Sequence, residues 1–319
     1  MGIGLLLRHR YWNVLLARRI HFFWAFLFLN SLALTYSQLI LTRQQVAQFE
    51  SDLHPGVGYL KESYDPALAR LSSLEKLLTY TDSLQRKQPN VSYPVLLSWT
   101  IRRKFYHGFS YYDTHNNPLA SLIARTLGSD LHAIVLPDDI LQHPNAGCSQ
   151  QAIVFMAALR QRGFTVRNVG FYEPIQGGHY ALEVLYNGSW HYFDTDFEPS
   201  FELLNRAGRP SMGALLADTT FLQQVYRGRM EPQRIRALFS SYRIGDVNPD
   251  PAPRARLFQL TTKGLMYVGW LVILALWLMT TKISVWITAP LFKHLHIRRR
   301  ARLRVRLVLY ARKAVALGS

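Results

Sequence analysis

Cysteine is almost missing from this chain: Cys148 is the single one in 319 residues. An internal disulfide is therefore excluded, and so is a zinc site built on paired cysteines. Acidic residues are missing from both ends. Residues 1–49 hold five Lys/Arg and no Asp or Glu, and residues 251–319 hold thirteen, again with no acid. That leaves 19 basic residues against all 20 acids in residues 50–250, so the formal charge of +17 belongs to the ends and the centre is nearly neutral. A basic excess of this size points to nucleic acid or an anionic membrane. With the charge confined to the ends and no base-reading motif beside it, nucleic-acid binding is not expected. Internal repeats and low-complexity tracts are also lacking, which sets aside solenoid architectures.

What the ends do have is long apolar runs. Between Arg19 and Arg43 lies "IHFFWAFLFLNSLALTYSQLILT", and from Gly264 to Thr281 "GLMYVGWLVILALWLMTT", followed by Lys282 and "ISVWITAPLF". A bilayer core takes about 20 apolar residues, so both runs are long enough to cross one. No small-x-small site closes the first run, which is read as an uncleaved anchor rather than a signal peptide. Arginines precede the first run, and "RRRARLRVR" follows the second. The positive-inside rule then puts both termini in the cytoplasm and the middle outside. The expected layout is a cytoplasmic N-terminus at 1–19, a span at 20–42, an extracytoplasmic domain at 43–262, a span at 263–290 and a basic cytoplasmic tail at 291–319. The tail is expected to rest on anionic headgroups.

The middle changes its period along the way. "QQVAQFESDL" and "PALARLSSLEKLLTYTDSLQRK" have helical spacing, the second with Leu68, Leu71, Leu74 and Leu78 three or four residues apart. "QPNVSYP" interrupts, and "VLLSWTIRRKFYHGFSYY" reads as another helix closed by "DTHNNP". Residues 148–162 are apolar nearly all round, as in a central buried helix, with Gly163 at the C-terminal cap. "FTVRNVGFYE", "HYALEVLY" and "SWHYFDTDF" are strand-like, and Asn187–Gly188 joins the last two as a tight hairpin. Helix is expected again from Pro199 to about residue 240, and "GDVNPDPAPRAR" reads as a proline-rich linker. The fold class is α+β, with its core at about residues 95–200.

A lone thiol is most often a small buried hydrophobe. Cys148 stands instead at a helix start, where unpaired N–H groups and the helix dipole favour a thiolate. A nucleophilic thiol needs a base, and the base an orienter. His179 opens one hairpin strand, and Asp194 follows the other, so an antiparallel return brings the two together.

These residues resemble the core of the transglutaminase-like superfamily. "GCSQQAIVFMAALRQRGFTVRNVGF" and "HYALEVLYNGSWHYFD" are similar to its Gly-Cys helix ending in Leu-Arg-x-x-Gly, its His-led strand and its Trp-x-x-Phe-Asp strand. The resemblance covers about residues 145–197. It implies a papain-like domain in which a central Cys-bearing helix packs on an antiparallel sheet, flanked here by two transmembrane helices. It implies Cys148 as nucleophile, His179 as base and acid, and Asp194 as orienter, with Arg160, Gly163, Arg167, Glu183, Val184, Trp190 and Phe193 as scaffold. The proline often found after the family's Asp is Thr195 here, and a second acid, Asp196, keeps an alternative orienter open. The sequence does not place the family's usual upstream oxyanion donor; the Cys148 N–H is the one donor that can be named.

The expected function is that of a membrane-anchored thiol enzyme cleaving amide bonds of a protein or peptide outside the membrane, by hydrolysis rather than cross-linking. The alternative is a non-catalytic assembly component of an envelope export complex. No cofactor and no metal is expected: His107, His115, His132 and His143 have no metal-ligand spacing, and Asp196, Glu198 and Glu202 read as a solvated acidic loop. His191 reads as a packing residue.

Overall fold

The computed structural model describes residues 19–36, 39, 63–127, 130–172, 178–197 and 200–280. The chain divides into two compact units, one made of residues 1–37 and 264–319, the other of 38–263. The expected helix over "QQVAQFESDL" and the basic tail lie outside the described residues.

The larger unit opens with a 3-10 turn at Pro66–Leu68, followed by α1 (Leu74–Lys87) and α2 (Tyr93–Lys104). The leucine spacing suggested one helix from Pro66 onward. Ser73 ends that reading, because its hydroxyl accepts from the Lys76 N–H and starts a new helix there. Leu68 and Leu71 are still buried, ahead of the helix. A second difference comes after α2. Phe105 is extended, Tyr106–His107 form strand β1, and Gly108 takes φ +141°, a region closed to side chains with a Cβ. The expected helix through residue 112 therefore stops at Lys104.

After α3 (Pro118–Leu127) and the short α4 (Pro137–Ile140), strand β2 (Asn145–Ala146) pairs in parallel with β1, His107 opposite Ala146. Helix α5 (Cys148–Gln161) begins two residues later. β3 (Thr165–Phe171), β4 (His179–Tyr186) and β5 (Ser189–Phe193) come next, then α6 (Phe201–Arg206), α7 (Met212–Ala217), α8 (Thr219–Val225) and α9 (Pro232–Ser240). The chain returns through β6 (Tyr242–Val247), giving an antiparallel sheet in the order β5-β4-β3-β6. Part of the expected linker is thus a strand. Gly245 permits the approach of β6, since a Cβ there would lie 2.0 Å from Asn168 Oδ1, and Asn248 extends the edge by bonding both polar groups of Val166.

The sheet separates two cores. Val166, Leu182, Val184 and Phe193 pack with α1, α2 and α5 on one side. Val169, Phe171, Ala181 and Tyr192 pack with α6 to α9 on the other. This alternation is why apolar residues occur on both faces of the strands. Glu183 is a polar residue within the sheet. Buried, it accepts from Arg167 at 2.7 Å and from the Met212 N–H at 2.7 Å, while Arg167 stacks on Trp190. The result is a mixed α+β domain.

Helix α10 (Pro253–Thr280) is the one helix among the described residues long and apolar enough to cross a membrane, by length and composition. It starts ten residues before the expected span at 263–290, and the part of that span beyond Thr280 lies outside the described residues. Its first turns belong to the larger unit. Gln259 takes the Leu131 and Ala133 carbonyls and the Val135 N–H, Thr262 meets Asn117, and Lys263 pairs with Asp139 at 2.7 Å. In the smaller unit residues 19–36, within the expected span at 20–42, are helical and run antiparallel to the rest of α10. Thr35 bonds the Met266 carbonyl, Ser31 faces Gly269, Phe28 meets Trp270 and His21 meets Trp277.

Candidate active site

Cys148 is the first residue of α5, partly exposed. The preceding Gly147 has no side chain to cap the helix, so Gln150 does the work from inside: its Oε1 accepts from the Gly147 N–H at 3.2 Å. The same oxygen accepts from the Ser110 N–H at 2.9 Å, and Gln150 Nε2 donates to the Ser110 and Ile134 carbonyls, both at 2.8 Å. The helix start carrying the thiol is thereby tied to two passing loops. Its first N–H groups lack intrahelical partners, as at any helix N-terminus.

His179 stands at the beginning of β4, opposite Phe171, and is buried between Phe171 and Phe197, whose ring centroids lie 5.7 and 4.5 Å from its own. The hairpin turn at Asn187–Gly188, with φ +49° and +77°, sends β5 back along β4. Asp194 therefore ends beside His179, and His179 Nε2 lies 2.9 Å from Asp194 Oδ2. Asp194 is fully buried and held from every side. Tyr226 Oη donates to Oδ2 at 2.8 Å, and the Asp196 and Phe197 N–H groups both donate to Oδ1 at 3.1 Å. Tyr192 Oη lies 3.0 Å from Tyr226 Oη and extends the chain inward.

Burial would drive the His179 imidazole toward its neutral form. The Asp194 carboxylate, together with Cys148, outweighs that and raises the His179 pKa to about 10. Burial likewise opposes the Asp194 charge, but His179, Tyr226 and the Phe197 N–H together hold the carboxyl below its usual range. Both shifts favour an imidazolium–carboxylate pair at neutral pH. Because Asp194 occupies Nε2, Nδ1 is the nitrogen left for the thiol.

Asp196, the other candidate orienter, does something different. Its carboxylate takes His107 Nδ1 at 2.7 and 2.8 Å and Gln151 Nε2 at 2.9 Å, and Arg102 donates to its backbone carbonyl. His107 stacks on the Phe197 ring, which also faces His179. A sulfur, an imidazole nitrogen and a carboxylate oxygen of Cys148, His179 and Asp196 all lie within 4.8 Å of one another. These three are the donors in the site that could take a metal ion. Zinc, at 2.0–2.3 Å from each ligand, would draw such atoms to about 3.3–3.8 Å apart. The Asp196 carboxylate is at present shared between His107 and Gln151.

His107, Gln151 and Tyr226 escaped the sequence reading. Gln150 and Gln151 carried a signal, being two polar residues at the start of an otherwise apolar helix and both buried. His107 and Tyr226 carried none, since each reaches the site from a distant part of the chain. Of the remaining histidines, His191 stacks on Tyr186 at 3.8 Å and bonds the Arg209 carbonyl, away from the thiol. Glu198 lies outside the described residues.

No family model matches this chain, and neither a curated protein nor a solved structure does.

Proposed function

We propose that this protein is a thiol enzyme acting on amide bonds through Cys148, His179 and Asp194, in the manner of the transglutaminase-like superfamily that its motifs resemble. The observation that carries the reading is His179, bound to Asp194 at 2.9 Å through one nitrogen and with a ring nitrogen within 4.8 Å of the Cys148 sulfur at a helix start. In this mechanism the thiol's proton resides on His179 as a thiolate–imidazolium pair, and the sulfur adds to the amide carbonyl, whose oxygen becomes the oxyanion beside the Cys148 N–H. The C–N bond breaks as His179 returns the proton to the leaving amine, leaving a thioester. Water then attacks with His179 as base, the S–C bond breaks, and the acid product leaves; an amine in place of water would give cross-linking. Hydrolysis is the favoured outcome. The enzyme would be anchored by α10 and the N-terminal apolar run, with its site on the extracytoplasmic face and a protein or peptide as substrate.

The test is the rate at which iodoacetamide alkylates the detergent-solubilised full chain as pH is varied, wild type beside His179→Ala. Every adduct reports on Cys148, the single cysteine. Fast labelling that persists well below pH 8.5 and is lost in the variant is expected. A free thiol of pKa about 8.5 is only a few per cent ionised at pH 7, so the loss there should be about 30-fold. Slow, identical titrations in both proteins would remove the enzyme reading and leave that of an envelope-complex component, to be pursued by co-purification of a membrane partner.

A further inference from the structure

Residues 108–111 run past the thiol with a fixed backbone and exposed rings. Gly108 makes the turn at φ +141°, and Asn145 Nδ2 then donates to the Gly108 and Phe109 carbonyls at 3.2 and 3.0 Å. Ser110 is bound through both its backbone groups by Gln150. Asn145 and Gln150 flank Cys148 in the chain, so the loop is fastened on both sides of the nucleophile. Its alternate side chains are treated oppositely: Ser110 and Tyr112 are 2% and 3% exposed, Phe109 and Tyr111 each 43%. Phe109 lies so close to Gly147 that a Cβ there would meet three of its ring carbons at 3.0 Å. From that point a row of rings leads away, Phe109 to Tyr111 at 6.1 Å and Tyr111 stacked on His132 at 4.7 Å.

A loop that needed its aromatics only for stability would bury them. Here the backbone is held and the rings are left open, which is the arrangement of a preformed binding surface. Residues 108–112 carry no charged side chain, so the surface offers ring faces and edges rather than an ion partner. Starting at the residue before Cys148, it runs on from the point of attack, which makes the neighbouring part of the same substrate its occupant.

We propose that Phe109 and Tyr111, backed by His132, form the subsite that receives an apolar or aromatic side chain next to the scissile amide. This rests on Cys148 being the nucleophile. Glycine at 147 is then a specificity feature, because it leaves room for the first ring beside the residue that precedes the thiol.

The experiment uses N-acetyl-aminoacyl chloromethyl ketones carrying a benzyl, a methyl or a carboxylate side chain, with plain iodoacetamide as control. In each case sulfur displaces the halide and forms a thioether, read by mass on the solubilised full chain. The benzyl probe should label about three- to tenfold faster than the methyl probe, the effect of one ring–ring contact, and the carboxylate probe slowest. In Phe109→Ala that preference, each rate being divided by the same variant's iodoacetamide rate, should fall toward unity. Tyr111→Ala, at an equally exposed position, gives a second variant if the first folds poorly, and thermal unfolding checks both. A benzyl preference that is absent, or intact in both variants, overturns the proposal while leaving the nucleophile reading in place. A change in sedimenting mass without a change in preference would make the strip a contact between copies, and would also overturn it. Slow, pH-ordinary iodoacetamide labelling instead removes the nucleophile reading, and the subsite falls with it.

Discussion

Two histidine–aspartate pairs flank one aromatic ring in this protein, and both carboxylates come from the same Asp194-Thr195-Asp196 turn. His179–Asp194 is sealed, with side chains 3% and 0% exposed, whereas in His107–Asp196 the imidazole is 23% exposed. The first pair is built from neighbouring strands and locked from behind by Tyr226, out of the core beneath the sheet. The second reaches across the fold to β1 and to the helix bearing the thiol. Both contain the groups of a catalytic dyad, and it is a ring nitrogen of His179 that lies within 4.8 Å of the sulfur in the Cys148–His179–Asp196 group. Asp196 instead sets a negative charge within 4.8 Å of the sulfur, with His107 against it. Identity of residue type therefore does not define the role; position relative to the sulfur and to the imidazole nitrogens does.

The sharpest way to break the comparison is to neutralise one carboxylate at a time. Asp194→Asn removes the charge that holds the proton on His179, so the buried imidazole reverts toward its neutral form. Iodoacetamide labelling at pH 7 should fall by roughly 10- to 30-fold, toward the rate of an ordinary thiol. Asp196→Asn keeps the shape but removes a negative charge facing the sulfur, so labelling should hold or rise. Two unit charges at that spacing interact by about 3 kcal/mol at an effective dielectric of 20, before His107 offsets it. Opposite signs in the two variants sustain the assignment. Equal losses would make Asp196 a co-orienter and undo the distinction between the pairs.

That distinction marks the boundary of what the sequence can carry. The His179–Asp194 approach was legible because an Asn-Gly turn fixes an antiparallel return, and strand arithmetic does the rest. The central helix was legible from its apolar run and Gly163, which takes the expected left-handed φ of +78°. β1 was not. Its two residues continue a helical pattern, and what ends the helix is a glycine conformation and a pairing with residues almost forty positions away. β6 was hidden by the prolines after it, although its pairing is settled by Gly245 accommodating Asn168. Tyr226 is a helix-end tyrosine like many others until the fold sets it against Asp194. Local periodicity finds elements, but it is silent on which distant polar group a buried charge will meet.

Tyr226 offers the smallest and most diagnostic perturbation. Tyr226→Phe deletes one hydroxyl, leaves the ring packed on Phe239, and takes one donor from Asp194 while His179 and two N–H groups remain. A hydrogen bond to a charged group contributes about 1.5–3 kcal/mol, and the remaining donors should keep the loss near the lower end. The effect on pH is more telling than its size. Asp194 has a depressed folded-state pKa, so its stabilising contribution is present above the unfolded carboxyl pKa and is lost as pH falls through the folded one. Removing a donor lifts that folded pKa toward the unfolded one, so less stability is lost on acidification and the loss is complete at a higher pH in the variant. The alkaline side should stay in place, because His179 keeps Asp194 and its contribution is full below the unfolded imidazole pKa and gone once pH has risen through about 10. Thermal unfolding from pH 3 to pH 7 reads the shift directly. An acid limb superimposable on wild type, with only a uniform drop in Tm, would mean that Tyr226 packs against the dyad without holding its charge.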